Sequence, residues 1–185
     1  IDPSILLHPN IPKPLHLVNP RSIFGEKWWD TNRKIAYASN NFHCAACGVH
    51  KSKALFHQWL EAHECYDFDY DKGVLTFVKL YPLCHACHNY IHSGRLSVMY
   101  RRGEVDREKY KSILAHGDKL IRGLAKPEPV ICCVGWENWR MIINGKSYPP
   151  KLKSYREWCQ HFGIDEPLSS VLDDFDDEYN YEEEF

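Results

Sequence analysis

The sequence has no long apolar run, only two methionines and a net charge of -2. A membrane-spanning helix needs about 18 or more consecutive apolar residues, so we expect no membrane span. The first residues, Ile1-Asp2-Pro3, show neither an initiator methionine nor a signal-peptide pattern. We therefore expect a trimmed fragment of a longer protein that is cytoplasmic and has no membrane partner.

What is present is the composition of an ordinary globular domain. Of the 185 residues, 44% are hydrophobic, 14% are aromatic and 26% are charged. These proportions exclude a chain that is disordered throughout, and they exclude a fibrous protein. The length is sufficient for one main domain with appendages and a buried core.

The net charge conceals an asymmetry. Residues 173–185 contain eight acidic residues and no basic one, which leaves 23 basic and 17 acidic residues in 1–172, a body of about +6. A basic body with an acidic tail is typical of proteins that bind nucleic acid. We predict that the tail is disordered, and that it is either a solvated terminus or a nucleic-acid mimic lying in a basic groove.

Four of the eight cysteines form two CxxC pairs, Cys44 with Cys47 and Cys84 with Cys87. Two residues between thiolates let both sulfurs reach one ion, and four sulfurs complete tetrahedral zinc coordination. We therefore predict a structural zinc site, against the alternative of two unconnected pairs of buried thiols. The remaining cysteines have no ligand spacing and are expected to be small core residues; they are Cys65, Cys132, Cys133 and Cys159.

The chain between and after the cysteine pairs predicts an α+β fold. The expected order is strand, strand, helix, at residues 58–65, 74–80 and 87–92, with a turn at 69–73 and a helix end at Ser93-Gly94. A helix at 26–38 precedes this unit. A longer helix from the N-cap Asp106 to about residue 125, a hairpin turning at Asn144-Gly145 and a short helix, Tyr155–Phe162, capped by Ser154, follow it.

We divide the chain into four segments. They are an extended proline-rich arm (1–22), a zinc-stabilised domain with flanking helices (23–126), a small C-terminal β/α appendage (127–172) and the acidic tail (173–185).

Three histidines are placed to share a second ion. His88 and His92 are four residues apart on the predicted helix, so their imidazoles share one face, and folding the hairpin back brings His63 towards them. Three imidazoles leave positions open for a phosphate oxygen and water. The alternative is that His88 or His92 is a further ligand of the zinc. The other histidines are given structural roles, namely His8, His16, His43, His50, His57, His85, His116 and His161.

Two segments carry a family resemblance: Leu60-Glu61-Ala62-His63-Glu64 and Leu83-Cys84-His85-Ala86-Cys87-His88-Asn89-Tyr90-Ile91-His92-Ser93-Gly94. Together they resemble the signature of HNH endonucleases, and more specifically of ββα-metal nucleases with a four-cysteine zinc site. The resemblance covers residues 42–96. It implies a ββα-metal core on a zinc knuckle and hydrolysis of DNA phosphodiester bonds by a bacterial or phage protein.

Carried over by position, the resemblance implies that His63, His88 and His92 bind one catalytic divalent ion, commonly Mg²⁺, Mn²⁺, Ni²⁺ or Zn²⁺. It also implies that the two CxxC pairs bind the structural zinc. Glu64 stands where the family usually has a histidine as general base, and the asparagine that orients this base is missing. Either Glu64 or His63 would activate water; if His63 does so, a carboxylate such as Glu61 or Glu64 completes the ligands.

A basic segment after the metal-binding unit is the predicted DNA contact. Residues 95–126 contain nine basic and four acidic side chains, and Arg95, Arg101 and Arg102 are the leading candidates for phosphate contacts. A solvated helix face is the alternative. The tryptophans Trp28, Trp29, Trp136 and Trp139 are expected in the core rather than stacked on bases.

Two other functions are weighed against a nuclease. One is a catalytically inactive HNH-fold module that binds DNA, or a protein partner through residues 127–172 or the tail. The other is a structural zinc protein in which the three histidines are incidental.

Overall fold

The structure, a computed structural model, describes residues 1–128, 130 and 132–164. The acidic tail lies outside the described residues. The described part contains five α-helices and one four-stranded sheet, which confirms the α+β class. The elements are α1 (Pro20–Ser39), β1 (Glu61–Asp69), β2 (Val74–Leu83), α2 (His85–Ile91), α3 (Ser93–Arg101), α4 (Arg107–Ile121), β3 (Arg140–Ile143), β4 (Lys146–Tyr148) and α5 (Tyr155–Phe162).

Helix α1 begins six residues before the predicted start at residue 26. Asn19 caps it by accepting a hydrogen bond from the Ser22 amide, and Pro20 occupies the first turn, where no amide donor is needed. Gly25 interrupts the helix with φ 80° and ψ 177°. The helix after Gly25 confirms the prediction from residue 26, and the helical turn at 20–24 before the kink was not predicted.

Strands β1 and β2 form the predicted antiparallel hairpin. Their register pairs Glu61 with Leu83, His63 with Tyr81 and Asp69 with Val74. Strand β1 starts and ends later than the predicted 58–65. The start is later because β2 ends at Leu83 and offers residues 58–60 no partner.

The C-terminal strands extend this sheet, in the order β1-β2-β3-β4. Strands β3 and β4 form the predicted hairpin, with positive φ angles at Asn144 and Gly145. Strand β3 pairs parallel to β2, an association that the local sequence pattern does not indicate.

Helix α2 follows β2 directly, so the predicted order of strand, strand, helix is confirmed. The predicted helix end at Ser93-Gly94 is wrong. The break is at His92 (φ -92°, ψ 41°), and α3 begins at Ser93. Helix α4 begins at its predicted cap, Asp106, whose carboxylate accepts from the Lys109 amide at 2.8 Å.

Two hydrophobic clusters stabilise the molecule. One surrounds the cysteine pairs and includes Leu83, Leu96 and Ile113; the other lies under β2 and β3 and includes Leu75 and Met141. The N-terminal arm contributes to both, through the buried side chains Ile5 and Leu6 in the first and Leu15 and Val18 in the second. Within the described ranges, no helix is both long and apolar enough to cross a lipid bilayer.

Candidate metal centre

The four cysteines of the CxxC pairs lie together, each with a sulfur within 4.8 Å of the others. Cys44 and Cys47 come from a tight turn after α1, in which the Gly48 amide donates to the Cys44 carbonyl at 2.9 Å. Gly48 has φ +76°, a left-handed backbone conformation that favours glycine.

The other cysteine pair comes from the start of α2. Cys84 is the N-cap residue, and Cys87 follows in the first turn. The Ala45 amide donates to the Pro82 carbonyl at 2.8 Å, which fixes the first turn against the end of β2. The local backbone, rather than the thiols alone, therefore holds the two pairs at one point.

The cysteine group has the donor chemistry of a metal site. The sulfurs of Cys47 and Cys84 are 3.8 Å apart. Because a thiolate on one residue accepts hydrogen bonds from its neighbours, the pKa of Cys47 is lowered while that of Cys87 is raised. Four thiolates this close repel one another unless a cation lies between them. These four residues could therefore hold a metal ion.

One histidine lies against this group. Nε2 of His116, on α4, is 3.3 Å from the sulfur of Cys87. Helix α4 approaches α2 closely because Gly117 faces Tyr90, and a Cβ at Gly117 would lie 2.0 Å from that ring. His116 was predicted to have only a structural role, because nothing local in the sequence pattern relates it to Cys87.

The three candidate histidines also lie together, with a ring nitrogen of each within 4.8 Å of the others. His63 extends from β1, while His88 is on α2 and His92 is at its C-terminal end. The ring centroid of His63 is 5.7 Å from that of His88 and 5.2 Å from that of His92. The hairpin therefore brings the strand histidine to the helix pair, and the three could hold a second metal ion.

His63 has an unsatisfied ring nitrogen. The side chain is buried, and its Nδ1 has no hydrogen-bond partner among the described residues. Burial lowers the pKa of His63 to about 2, and burial with the nearby His88 lowers that of His92 to about 4. Both rings are therefore neutral at physiological pH, which is the form that binds a metal.

Glu61 orients His88. One carboxylate oxygen is 2.7 Å from Nδ1 of His85, and the other is 2.6 Å from Nδ1 of His88. Burial raises the pKa of Glu61, but the hydrogen bonds from the two rings outweigh it and lower the pKa. Because an ionised carboxylate only accepts, both rings donate from Nδ1. Nε2 of His88 is left with a lone pair for a metal, an arrangement common around metal-bound histidines.

Glu61 was predicted only as a possible ligand, and His85 was given a structural role. The periodicity of the strand and that of the helix could have identified Glu61 and His85 from the sequence. Glu61 is two residues before His63 on the same strand face, and His85 is three residues before His88 on the same helix face. Asn89 further fixes this helix turn, with its side-chain amide 2.9 Å from the His85 carbonyl.

Glu64, predicted with His63 as one of two candidate bases, is not part of the histidine group. Burial raises its pKa, while the charges of His88 and Arg21 act in the opposite direction. Arg21 belongs to α1, and Tyr66, whose pKa the Glu64 charge raises, belongs to the second hydrophobic cluster. Charges from both α1 and α2 therefore reach Glu64, whereas the ring of His63 packs beside those of His88 and His92.

The predicted DNA-binding arginines are all exposed on α3 or at its end. Arg95 is near enough to His92 for its charge to contribute to the lowered pKa of that ring. Arg101 and Arg102 lie at the other end of the helix. At a rise of 1.5 Å per residue, they are on the order of 10 Å further from His92 than Arg95 is.

Of the tryptophans named from the sequence, Trp139 is buried in the second cluster. Trp28 and Trp29 are half-buried, and Trp28 packs against Phe24 and Phe77. Trp136 donates from its indole nitrogen to the Leu152 carbonyl at 2.7 Å.

Comparison of the chain with protein-family models, with curated proteins and with solved structures found no match. The assignment of a function therefore depends on the geometry of the two residue groups.

Proposed function

We propose that the chain is a metal-dependent endonuclease of the HNH type, which hydrolyses DNA phosphodiester bonds. The observation that carries the proposal is the convergence of His63 with His88 and His92 from a hairpin and the helix that follows it. In this interpretation β1, β2 and α2 form a ββα-metal core. The adjacent cysteine group supports it, because it ties the start of α2 to the turn after α1.

We assign the cysteine group to a structural zinc ion and the histidine group to a catalytic divalent ion. Four thiolates are soft ligands that satisfy tetrahedral zinc and leave no position for substrate. Three imidazoles suit a borderline cation such as Ni²⁺ or Zn²⁺, or the harder Mn²⁺ or Mg²⁺ with water and phosphate completing its shell. The unpartnered Nδ1 of His63 supports a ligand at this position.

A cation held there would polarise the phosphate and stabilise the leaving oxygen. The chain's own residues would orient the reacting groups and take the proton from water. Glu61 fixes the ring of His88 through the 2.6 Å contact. Glu64 accepts the proton if His63 binds the cation. If His63 accepts it instead, a carboxylate such as Glu61 or Glu64 takes its place as a ligand, and substitution of Glu64 separates the two cases.

DNA is proposed to approach along α3. Arg95 extends from the first turn of this helix, beside His92, and can contact the phosphate next to the reacting one. Arg101 and Arg102, at the other end, are suited to a phosphate further along the strand.

The proposal is tested by His88→Ala with His161→Ala as the matched control, because His161 is an exposed histidine on α5. We expect His88→Ala to abolish plasmid nicking with Mg²⁺, Mn²⁺ or Ni²⁺ while keeping the thermal unfolding transition of the unmodified protein. The control should nick normally. Undiminished, cation-dependent nicking by His88→Ala would end the assignment.

The second candidate is a catalytically inactive module of the same fold that binds DNA or a protein partner. Glu64, which stands where the family usually has a histidine as base and is not part of the histidine group, favours it. Such a module would retard DNA with a steep salt dependence and never cut it. Cutting that is lost with EDTA and restored by Mn²⁺ excludes this candidate.

A further inference from the structure

An exposed stack of two rings lies immediately before β1. The indole of Trp59 is stacked on the imidazole of His57, with centroids 4.1 Å apart and planes 8° apart. Trp59 is 54% exposed, and Leu55 and Phe56 of the same segment are also exposed. We name residues 55–59 the aromatic loop. Exposed apolar side chains that are clustered in this way mark binding surfaces more often than isolated ones do.

The aromatic loop is held in place on both sides. Phe56 has φ +76°, a left-handed conformation that is unusual for a bulky residue and persists only where contacts impose it. The rings of Phe56 and His57 both contact His85, with centroids 5.8 and 4.3 Å from it. Leu60, which follows the loop, is buried in the first cluster. The Trp59 ring is therefore presented on a fixed segment.

The aromatic loop is continuous with the histidine group. His57 contacts His85, His85 is hydrogen-bonded to Glu61, and the same carboxylate is bonded to His88. A chain of side-chain contacts therefore connects the aromatic loop with the histidine group.

The charge around the aromatic loop suits a nucleic acid. The loop contains no acidic residue, and Lys51 and Lys53 are in the turn that precedes it. Nζ of Lys109, on α4, is 5.3 Å from the centroid of the Phe56 ring. Aromatic side chains for the bases, next to cations for the phosphates, are the combination by which proteins bind single strands.

We propose that the aromatic loop binds an unpaired nucleobase, with Trp59 as the platform on which the base stacks. Bases inside a duplex are stacked on each other and leave no face for an indole, so the base is single-stranded or turned out of the helix. The proposal that base stacking occurs at Trp59 does not depend on the proposed function. Only the further step, that the bound strand is also the strand that is cut, rests on it.

The test compares the binding of two fluorescently labelled strands of equal length, an oligothymidylate and its abasic analogue, without added divalent cation. The intact protein should prefer the base-bearing strand by roughly tenfold or more. Trp59→Ala should remove this preference but keep the affinity for the abasic strand and the salt dependence, which reflect phosphate contacts. Trp59→Phe should keep most of the preference for the base-bearing strand. Ile35→Ala, at an exposed apolar residue of α1, is the matched control.

If Trp59→Ala prefers the base-bearing strand as strongly as the intact protein does, the proposal is overturned. The same result is expected if the aromatic loop binds a protein instead of a base. Equal affinity of the intact protein for the two strands overturns the proposal as well. The comparison of the two strands measures binding and not cleavage. Normal nicking by His88→Ala would therefore reject the nuclease assignment but leave the conclusion about base stacking unchanged. Conversely, loss of nicking in His88→Ala with no base preference would reject only the stacking platform.

Discussion

The cysteine group and the histidine group are close in the fold but differ in what they could hold. The first has four soft donors from two backbone turns, enough to enclose an ion completely. The second has three imidazoles from a strand and a helix, and leaves positions for other ligands. Such a closed set stabilises a fold, whereas an open set can act on a substrate.

The two groups also differ in how their ligands are supported. The first cysteine turn is shaped by backbone hydrogen bonds and by Gly48, so its geometry does not depend on other side chains. In the histidine group, His88 is oriented by Glu61, while Nδ1 of His63 has no partner among the residues that the structure describes. Substitutions should therefore damage the two groups in different ways.

The largest effect is expected from Cys87→Ser. Structural zinc contributes about 10–16 kcal/mol to folding, which equals or exceeds the usual stability of a whole domain. We expect this variant to lose one bound zinc per chain and its cooperative thermal transition by calorimetry. Cys133→Ser, at an exposed cysteine outside the group, should match the unmodified protein. A Cys87→Ser variant that folds and melts normally would show that the cysteine group has no structural ion.

A large effect restricted to the histidine group is expected from Glu61→Gln. Glutamine has one acceptor atom where glutamate has two, so it cannot bind His85 at one terminal atom and His88 at the other, and the orientation of the His88 ring is weakened. Affinity for Mn²⁺ by calorimetric titration should fall about 100-fold, the upper end for residues that support a ligand. The zinc content and melting temperature should be unchanged. Equal Mn²⁺ affinity would mean that Glu61 does not position a ligand.

Glu64→Gln separates the two candidates for the base. Because Glu64 is outside the histidine group, we expect unchanged Mn²⁺ affinity. If Glu64 takes the proton, nicking should fall by about 10²–10⁴-fold, as for other general bases. Normal nicking by this variant would assign the proton to His63 instead.

The smallest effect is expected from His116→Ala. The ring is 3.3 Å from one of the four sulfurs, so its removal weakens a single ligand. Zinc release to a chromogenic chelator should become about tenfold faster, the lower end for supporting residues. Mn²⁺ affinity at the histidine group should stay the same. The exposed His161→Ala is again the control, and equal release rates in the two variants would leave His116 without a role at the zinc.

Much of this arrangement is visible in the sequence, because it depends on short spacings. The CxxC pairs predict two turns with converging sulfurs, and the separation of His88 and His92 predicts a shared helix face. The turn before β2 and the caps Asp106 and Ser154 are similarly local. Each follows from the side chain's own hydrogen bonds or from helix and strand periodicity.

The remainder depends on contacts between distant segments. The parallel pairing of β3 with β2 joins residues more than 60 positions apart, and no local pattern specifies it. The approach of His116 to Cys87 requires α4 to pack on α2. His85 lies on the same helix face as His88, but its role depends on the position of Glu61 across the hairpin. At Ser93, α3 begins where turn-forming residues indicate a stop.

The most direct test of two different metal positions is anomalous X-ray diffraction from crystals of the protein grown with Mn²⁺, recorded at the zinc and manganese absorption edges. We predict a zinc peak among the sulfurs of Cys44, Cys47, Cys84 and Cys87, and a separate manganese peak bounded by His63, His88 and His92. A single peak at the cysteines, or one ion shared between cysteine and histidine ligands, would contradict the account.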